Sequence, residues 1–460
     1  MKKSYLKFTY LALSISALSC SALAADLSEI FKQSEQHDPL LSAAKHTLNA
    51  STEGKKQAFS AFLPQVTSTF GRDFGKNKRD NTLSGALQST TSNTESWRIS
   101  ISQALYDHAN YQNYRVSKLQ ILKSSADFEA AYQDFIIRVA QSYFNVLGAK
   151  DNLVFSKAEE KAIQRQLDQA EQRFEVGLAA ITDVHEARAR FDSARAAVIL
   201  ADNQLQDAKE ALFEISQKYY EELTPAPDDL DFSSFKLSTM EAYQELGEKQ
   251  SPELLSSQIN KDIAERQISV NKSGHYPTLS LSFSRSNSFS LATTGTQFDP
   301  ETGAPVQFDS GDTTADSNSV SLSLTVPLYS GGRTSSQVRQ ASHNHKAAMD
   351  NYEQIRRGTV RGVRNAYHGT IASQSSVQAR KLAMVSAQSG LEATEAGYEV
   401  GTRTIVDVLN SQRSLYQAQR DYSQAKYDYF IQYLGLKRAA GNLTEHDIAI
   451  INKILKITAE

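Results

Sequence analysis

The chain has 460 residues, 40% of them hydrophobic and 22% charged, and its 49 Lys and Arg against 52 Asp and Glu leave a formal net charge of -3. That apolar content excludes a disordered chain, and the near balance of charge excludes a polyanion binder, so no nucleic-acid partner is expected. The single cysteine, Cys20, excludes a disulfide scaffold.

The N-terminus reads as an export signal. Lys2 and Lys3 form a basic region, an apolar stretch runs from about Phe8 to Leu18, and Ala22-Leu23-Ala24 supplies a small-residue cleavage site. Residues 1–24 are expected to leave, with the mature chain starting near Ala25 and free of cysteine. A lipoprotein reading of Cys20 fits poorly, because Ala17 stands where such signals carry Leu. No later segment approaches the roughly 20 apolar residues of a membrane-spanning helix. A membrane role therefore requires strands.

After Leu63-Pro64, residues from about Val66 to Phe74 alternate weakly. Trp97, Ile99, Ile101 and Leu105 then alternate with Arg98, Ser100, Ser102 and Ala104. Between Tyr106 and Pro225 there is no proline, and a helical pattern from about His108 to Glu175 predicts a rod on the order of 100 Å at 1.5 Å per residue. Gly177 marks a hairpin turn into a returning helix. There Val184, Ala187, Phe191, Ala194, Val198, Ala201, Leu205, Ala208, Leu212 and Ile215 step by threes and fours, which is the knobs-into-holes spacing of a coiled coil.

The second half repeats this order after Tyr276-Pro277. Ser280, Ser282, Ser284, Ser286, Ser288 and Ser290 alternate with Leu279, Leu281, Phe283, Phe289 and Leu291; Val320, Leu322, Leu324, Val326 and Leu328 alternate with Ser319, Ser321, Ser323 and Thr325. The polar linkers, about 75–95 and 292–318, are expected as long outer loops. A proline-free helix is predicted from about Arg333 to Glu399, a turn at Gly401, and a returning helix stepping through Val408, Ser411, Leu415, Ala418, Tyr422, Ala425 and Tyr429. Residues 221–251 and 440–460 are expected to form an equatorial belt.

The halves match residue by residue at the turns. Phe174-Glu175-Val176-Gly177-Leu178-Ala179-Ala180-Ile181-Thr182-Asp183-Val184 returns as Tyr398-Glu399-Val400-Gly401-Thr402-Arg403-Thr404-Ile405-Val406-Asp407-Val408. This is one unit made twice, with repeats expected over 25–230 and 231–460. A two-residue period with one apolar and one small polar face fits a barrel wall and equally a soluble sandwich with one solvated face; the linkers favour the barrel. Four strands cannot close one, since about eight is the smallest that fills, and an open edge in lipid leaves backbone groups unpaired. Several chains must then share a barrel.

At these residues, and over nearly the whole mature chain, the sequence resembles the TolC family of outer-membrane efflux ducts, the segment Gly401 to Leu409 most closely. The resemblance implies an α+β membrane protein in which a homotrimer forms a twelve-stranded β-barrel continuous with a coiled-coil tunnel of twelve helices in the periplasm. It implies work with a periplasmic adaptor and an inner-membrane transporter, in outer-membrane lipid. Carried over by position, it implies a gate at the periplasmic tip in which Tyr398 bonds Asp183 and Arg403 contacts Thr182; read without it, Thr182 and Asp183 are ordinary capping groups. Asp407 would project into the closed entrance as a ring of carboxylates whose mutual repulsion raises their pKa. The family carries a second acid three residues on, where this chain has Asn410, so cation preference is expected to be weaker.

Other signals carry less. His343 and His345 lie two apart and face different sides of a helix. Asp309, Asp312 and Asp316 lack EF-hand spacing. Arg356, Arg357, Arg361 and Arg364 are expected to pair with acidic neighbours, and Gly358 with Gly362 to mark close backbone packing. No nucleophile elbow, phosphate loop or zinc spacing appears, so no enzyme, cofactor or metal is expected. The reading is an outer-membrane exit duct for drugs, amphiphiles or secreted proteins; the alternative is a periplasmic coiled-coil scaffold or adhesin without a pore.

Overall fold

The computed structural model describes residues 25–81, 86–230, 232, 235, 237–299, 301–309 and 311–456, and the export signal expected over 1–24 lies outside them. In chain order the elements are α1 (Leu27–His37), α2 (Pro39–Ser60), β1 (Gln65–Asn81), β2 (Ala86–Tyr106), α3 (His108–Glu175), α4 (Ile181–Ser216), α5 (Met240–Gln250), α6 (Pro252–Lys272), β3 (Thr278–Phe298), β4 (Pro305–Asp309), β5 (Thr313–Thr325), α7 (Arg333–Glu399), α8 (Ile405–Ala439) and α9 (Glu445–Lys456). Helix, strand hairpin, long helix and returning helix thus occur twice. The helices α3 and α7 have 68 and 67 residues, bounded where the proline-free pattern predicts.

The chain divides into two compact units, one made of the described parts of Met1–Ser42, Tyr132–Tyr243 and Val363–Glu460, the other of Ala43–Ala131 and Gln244–Gly362. The second unit holds one antiparallel sheet. β1 pairs β2, β2 pairs β3, and β3 carries both β4 and β5 along its other side, so the sheet is four strands wide with β1 and β5 at its margins. The register places Val66 and Phe70 on one face with Trp97, Ile101, Phe283, Val320 and Leu322. That face is left open, with Phe70 81% and Val320 74% exposed. The opposite face is mostly Ser and Thr, tied across strands by Thr67–Ser100 at 2.7 Å, Thr94–Ser290 at 2.8 Å and Ser284–Ser319 at 2.9 Å. Leaving an apolar sheet face in water costs about 25 cal/mol per Å²; lipid removes that cost.

Three expectations change. The outer linkers are largely strand: β1 runs to Asn81, β2 starts at Ala86, and 292–318 holds the end of β3, all of β4 and the start of β5. Ser- and Thr-rich chain extends a ladder whose register is already set by its apolar end, and β1 stays in register with β2 throughout. β5 stops at Thr325, short of Val326 and Leu328, because Pro327 has no N–H for the ladder. Gly358 and Gly362 face open space, since a Cβ added at either meets nothing within 4 Å among the described residues. The arginines beside them do pair: Arg356 reaches Glu353 at 2.8 Å and Glu248 at 3.1 Å, and Arg357 reaches Glu353 at 2.8 Å.

The first unit is built on aromatic residues. Tyr143, Phe144, Tyr427 and Phe430 are fully buried, with Phe144 stacked on Phe430 at 5.0 Å. Three side chains of this core hold the irregular segment after α4 by its carbonyls. Tyr143 Oη donates to Thr224 at 2.6 Å, Lys426 Nζ donates to Pro227 at 3.1 Å, and Tyr422 Oη donates to Asp228. Burial pushes the Tyr143 and Tyr427 hydroxyls up and the Lys426 ammonium down. α9 is tied back by Lys456, 2.6 Å from Asp26. Along α4, Val184, Ala187, Ala194, Ala201, Leu205 and Leu212 are buried, the inner positions that the coiled-coil spacing predicts.

Candidate functional site

Both long helices end in the same device. Gly177 and Gly401 adopt φ of +73° and +78°, a conformation that costs an L side chain strain and glycine nothing. The Leu178 and Gly177 N–H groups donate to the Arg173 and Phe174 carbonyls at 2.8 and 2.9 Å; the Thr402 and Gly401 N–H groups donate to those of Gly397 and Tyr398 at 2.8 and 3.1 Å. These paired bonds form a Schellman motif, which satisfies the last carbonyls of each helix.

Beyond the glycines the copies diverge. At the start of α8, the Asp407 N–H donates to Thr404 Oγ1 at 3.2 Å, and Asp407 Oδ2 accepts from the Thr404 N–H and hydroxyl, both at 2.9 Å. This is a complete capping box. At the start of α4 the N-cap is Ala180, which offers no side chain. Thr182 and Asp183 lie inside the first turn, so neither is the cap, and Asp183 stands at the position of Asp407 without its capping partner. Hydrogen bonds from the Thr404 backbone and hydroxyl, with Arg403 nearby, hold the Asp407 carboxyl below the usual carboxylate value. Within one chain this reverses the upward shift expected from a ring of like charges: the donors lie on the residue's own helix, while the repelling carboxylates would come from other chains.

The two hairpins meet over one apolar cluster. Ile163, Leu167 and Ala170 of α3, Val184, Ala187 and Ala194 of α4, and Ile405 and Leu409 of α8 are buried together, with Phe191 and Tyr398 packed against them. Tyr398 lies in this cluster with its ring 4.7 Å from the Arg173 guanidinium. The Arg403 stem lies against Gly397, whose added Cβ would meet Arg403 Cγ at 2.8 Å. Among the described residues, Tyr398 shares no hydrogen bond with Asp183 and Arg403 none with Thr182, so the four residues share one region of the fold without joining as pairs in a single chain.

Sequence reasoning missed the arginines that do make contact here. Arg188 Nη2 pairs with Glu171 at 2.7 Å, and Arg190 Nη2 donates to Asn410 Oδ1 at 3.3 Å, linking α4 to α8. A basic residue in the last turn of α3, complementing the helix dipole, is the signal that could have found Arg173; nothing in the spacing points to Arg190. Among the described residues no group of three or more His, Cys, Asp or Glu could hold a metal ion, and no helix is long and apolar enough to cross a membrane. Asp309, Asp312 and Asp316 each accept a separate local hydrogen bond, from Gly311, Ala292 and Asn287.

A sheet with one open apolar face, joined in sequence to paired helical hairpins of this length, defines an α+β channel-tunnel. The solved outer membrane protein VceC from Vibrio cholerae shares the fold with a TM-score of 0.68 at 18% identity, over 90% of this chain and 96% of that one. Residues 30–216 and 245–442 match the family described as outer membrane efflux protein, and the chain belongs to that family. It is 37% identical over 440 residues to the outer membrane protein TolC of Vibrio cholerae, covering 94% of each. To the alkaline protease secretion protein AprF of Pseudomonas aeruginosa it is 26% identical over 422 residues, covering 90% of this chain and 84% of that protein. The protein is thus an outer-membrane export channel, and the pore-free periplasmic scaffold gains no support.

Proposed function

We propose that three copies of the chain share one barrel of twelve strands and one helical tunnel, and that this trimer is the exit duct for an inner-membrane transporter joined to it by a periplasmic adaptor. The observation that carries the reading is the width of the sheet. Among the described residues its margins, β1 and β5, have no further strand to pair with, and each unpaired backbone group in lipid costs several kcal/mol. Joining copies margin to margin removes that cost. The cargo is drugs, other amphiphiles and secreted polypeptides, the last supported by the likeness to a protein named for protease secretion. The repeats 25–230 and 231–460 each supply half of one chain's share, with 221–251 and 440–460 as the equatorial belt.

The closed duct is held at the hairpin turns, with Tyr398 bonded to Asp183 and Arg403 to Thr182 once chains assemble. The uncapped Asp183 carboxylate supports this, since it has an acceptor to offer. Such charge-assisted bonds are worth roughly 1.5–3 kcal/mol each, within reach of a partner that binds the open state better. The test is single-channel conductance of the detergent-purified mature trimer in a planar bilayer, beside the variant Tyr398→Phe with Arg403→Ser. A small conductance that grows in the variant is expected. Equal conductance in both would sink the gate and leave the duct; none from folded trimer would sink the duct.

A further inference from the structure

Arg190 is placed where an acidic partner would be ordinary, yet none of the described residues supplies one. Glu186 stands four residues before it on α4, the spacing at which opposite charges pair on a helix surface, and Glu171 is taken by Arg188 at 2.7 Å. Among the described residues no carboxylate forms an ion pair with the Arg190 guanidinium, which donates instead to the Asn410 amide oxygen at 3.3 Å. Of the neighbouring arginines, Arg173 lies on the Tyr398 ring at 4.7 Å, and Arg403 lies against Gly397 and beside Asp407. Asp407 and Asn410 lie three residues apart on α8 and share one face of it. The bond to Asn410 therefore brings a full positive charge to the face that carries the Asp407 carboxylate. An amide oxygen seats that charge without neutralising it.

We infer that Arg190 is a specificity-determining residue of the duct: seated on Asn410, its guanidinium offsets the Asp407 carboxylate, so that the entrance has little preference for cations. The inference rests on the proposed trimeric duct with Asp407 at its entrance. It differs from a mere loss of one acid at Asn410, because it makes removal of the Arg190 charge raise the cation preference with Asn410 unchanged. An acid placed at 410 would be held by Arg190 as an ion pair and would leave the Asp407 carboxylate unopposed, adding one free charge to the entrance.

The experiment compares the full-length trimer with Arg190→Gln, Arg190→Lys, Asn410→Asp and the double variant Arg190→Gln with Asn410→Asp. It reads the reversal potential in a potassium chloride gradient and block by hexamminecobalt(III) added on the helical side. Arg190→Gln is expected to raise the ratio of potassium to chloride permeability by about fivefold, the scale of one unit charge acting at about 4 Å in water. Arg190→Lys should behave as the parent, Asn410→Asp should raise the cation preference about as much as Arg190→Gln, and the double variant should show the strongest cation preference and the tightest block. If Asn410→Asp alone equals the double variant, or if all five proteins conduct with the same selectivity, the inference is overturned and the duct stands. If none of the folded trimers conducts, the duct reading fails and the inference with it.

Discussion

The two hairpin turns are copies of one sequence, and they differ where it counts. Both reverse the chain with the same glycine and the same pair of backbone bonds. The second is closed on itself, with Thr404 capping α8, Asp407 answering it, and Ile405 2% exposed within the shared apolar cluster. The first is left open, with Ala180 at the cap, Asp183 uncapped, and Ile181, the counterpart of Ile405, 46% exposed. Duplication conserved the backbone device and released the side chains. One copy is buried and capped, and the other leaves its groups exposed within the chain.

The sharpest test of that contrast is the pair Ile405→Ala and Ile181→Ala. The first is expected to cost about 2–4 kcal/mol, as buried aliphatic truncations do, and the second less than about 0.5 kcal/mol in the unassembled chain. Amide exchange of the two hairpins reads both locally, which suits a chain too large for one two-state transition. Equal loss of protection would break the comparison. Next come Gly401→Ala and Gly177→Ala. Each should cost about 1–2 kcal/mol for forcing an L side chain into positive φ, and the two should match, because the backbone device is common to both. Smaller still is the cap. Thr404→Ala should lose about 1 kcal/mol of protection in the first turn of α8, while Ala180→Thr should gain a fraction of that at α4 by completing a box with Asp183.

The smallest effect is with pH. The Asp407 carboxyl is held below its ordinary value of 3.8, so its contribution is present in full above that pH and is lost as pH falls through the lowered value. Protection at 404–409, corrected for intrinsic exchange, should fade below pH 3.8 in the parent and nearer that value in Thr404→Ala. Protection that fades at the same pH in both proteins would mean that Thr404 does not hold the carboxylate.

The elements themselves were legible because each rests on local rules. Proline-free periodic runs gave α3 and α7 their bounds, serine alternation gave the inner parts of β3 and β5, and the repeated Val-Gly pairs gave the turns. The ends of the strands were not legible. The polar chain of 75–95 has no apolar period to announce a strand, and only pairing with an existing ladder extends it. The same limit applies at the site. Thr182, Asp183, Tyr398 and Arg403 could be named from the sequence, but which of them finds a partner within one chain could not. Tyr398 is held by Arg173, and Asp407 by Thr404, through contacts that depend on how helices cross and how a first turn is capped.

What the sequence determined by itself is the period: two for the wall, three and four for the hairpins, and a doubling of the whole. Periodicity is a property of neighbouring residues, so it survives without knowledge of the fold. Only the tertiary structure decided that Ile405 is buried and Ile181 is not, and that Arg190 reaches Asn410 rather than Glu186. Identical residues at matching positions acquire different surroundings once two hairpins pack against each other, because packing joins segments that no local rule connects.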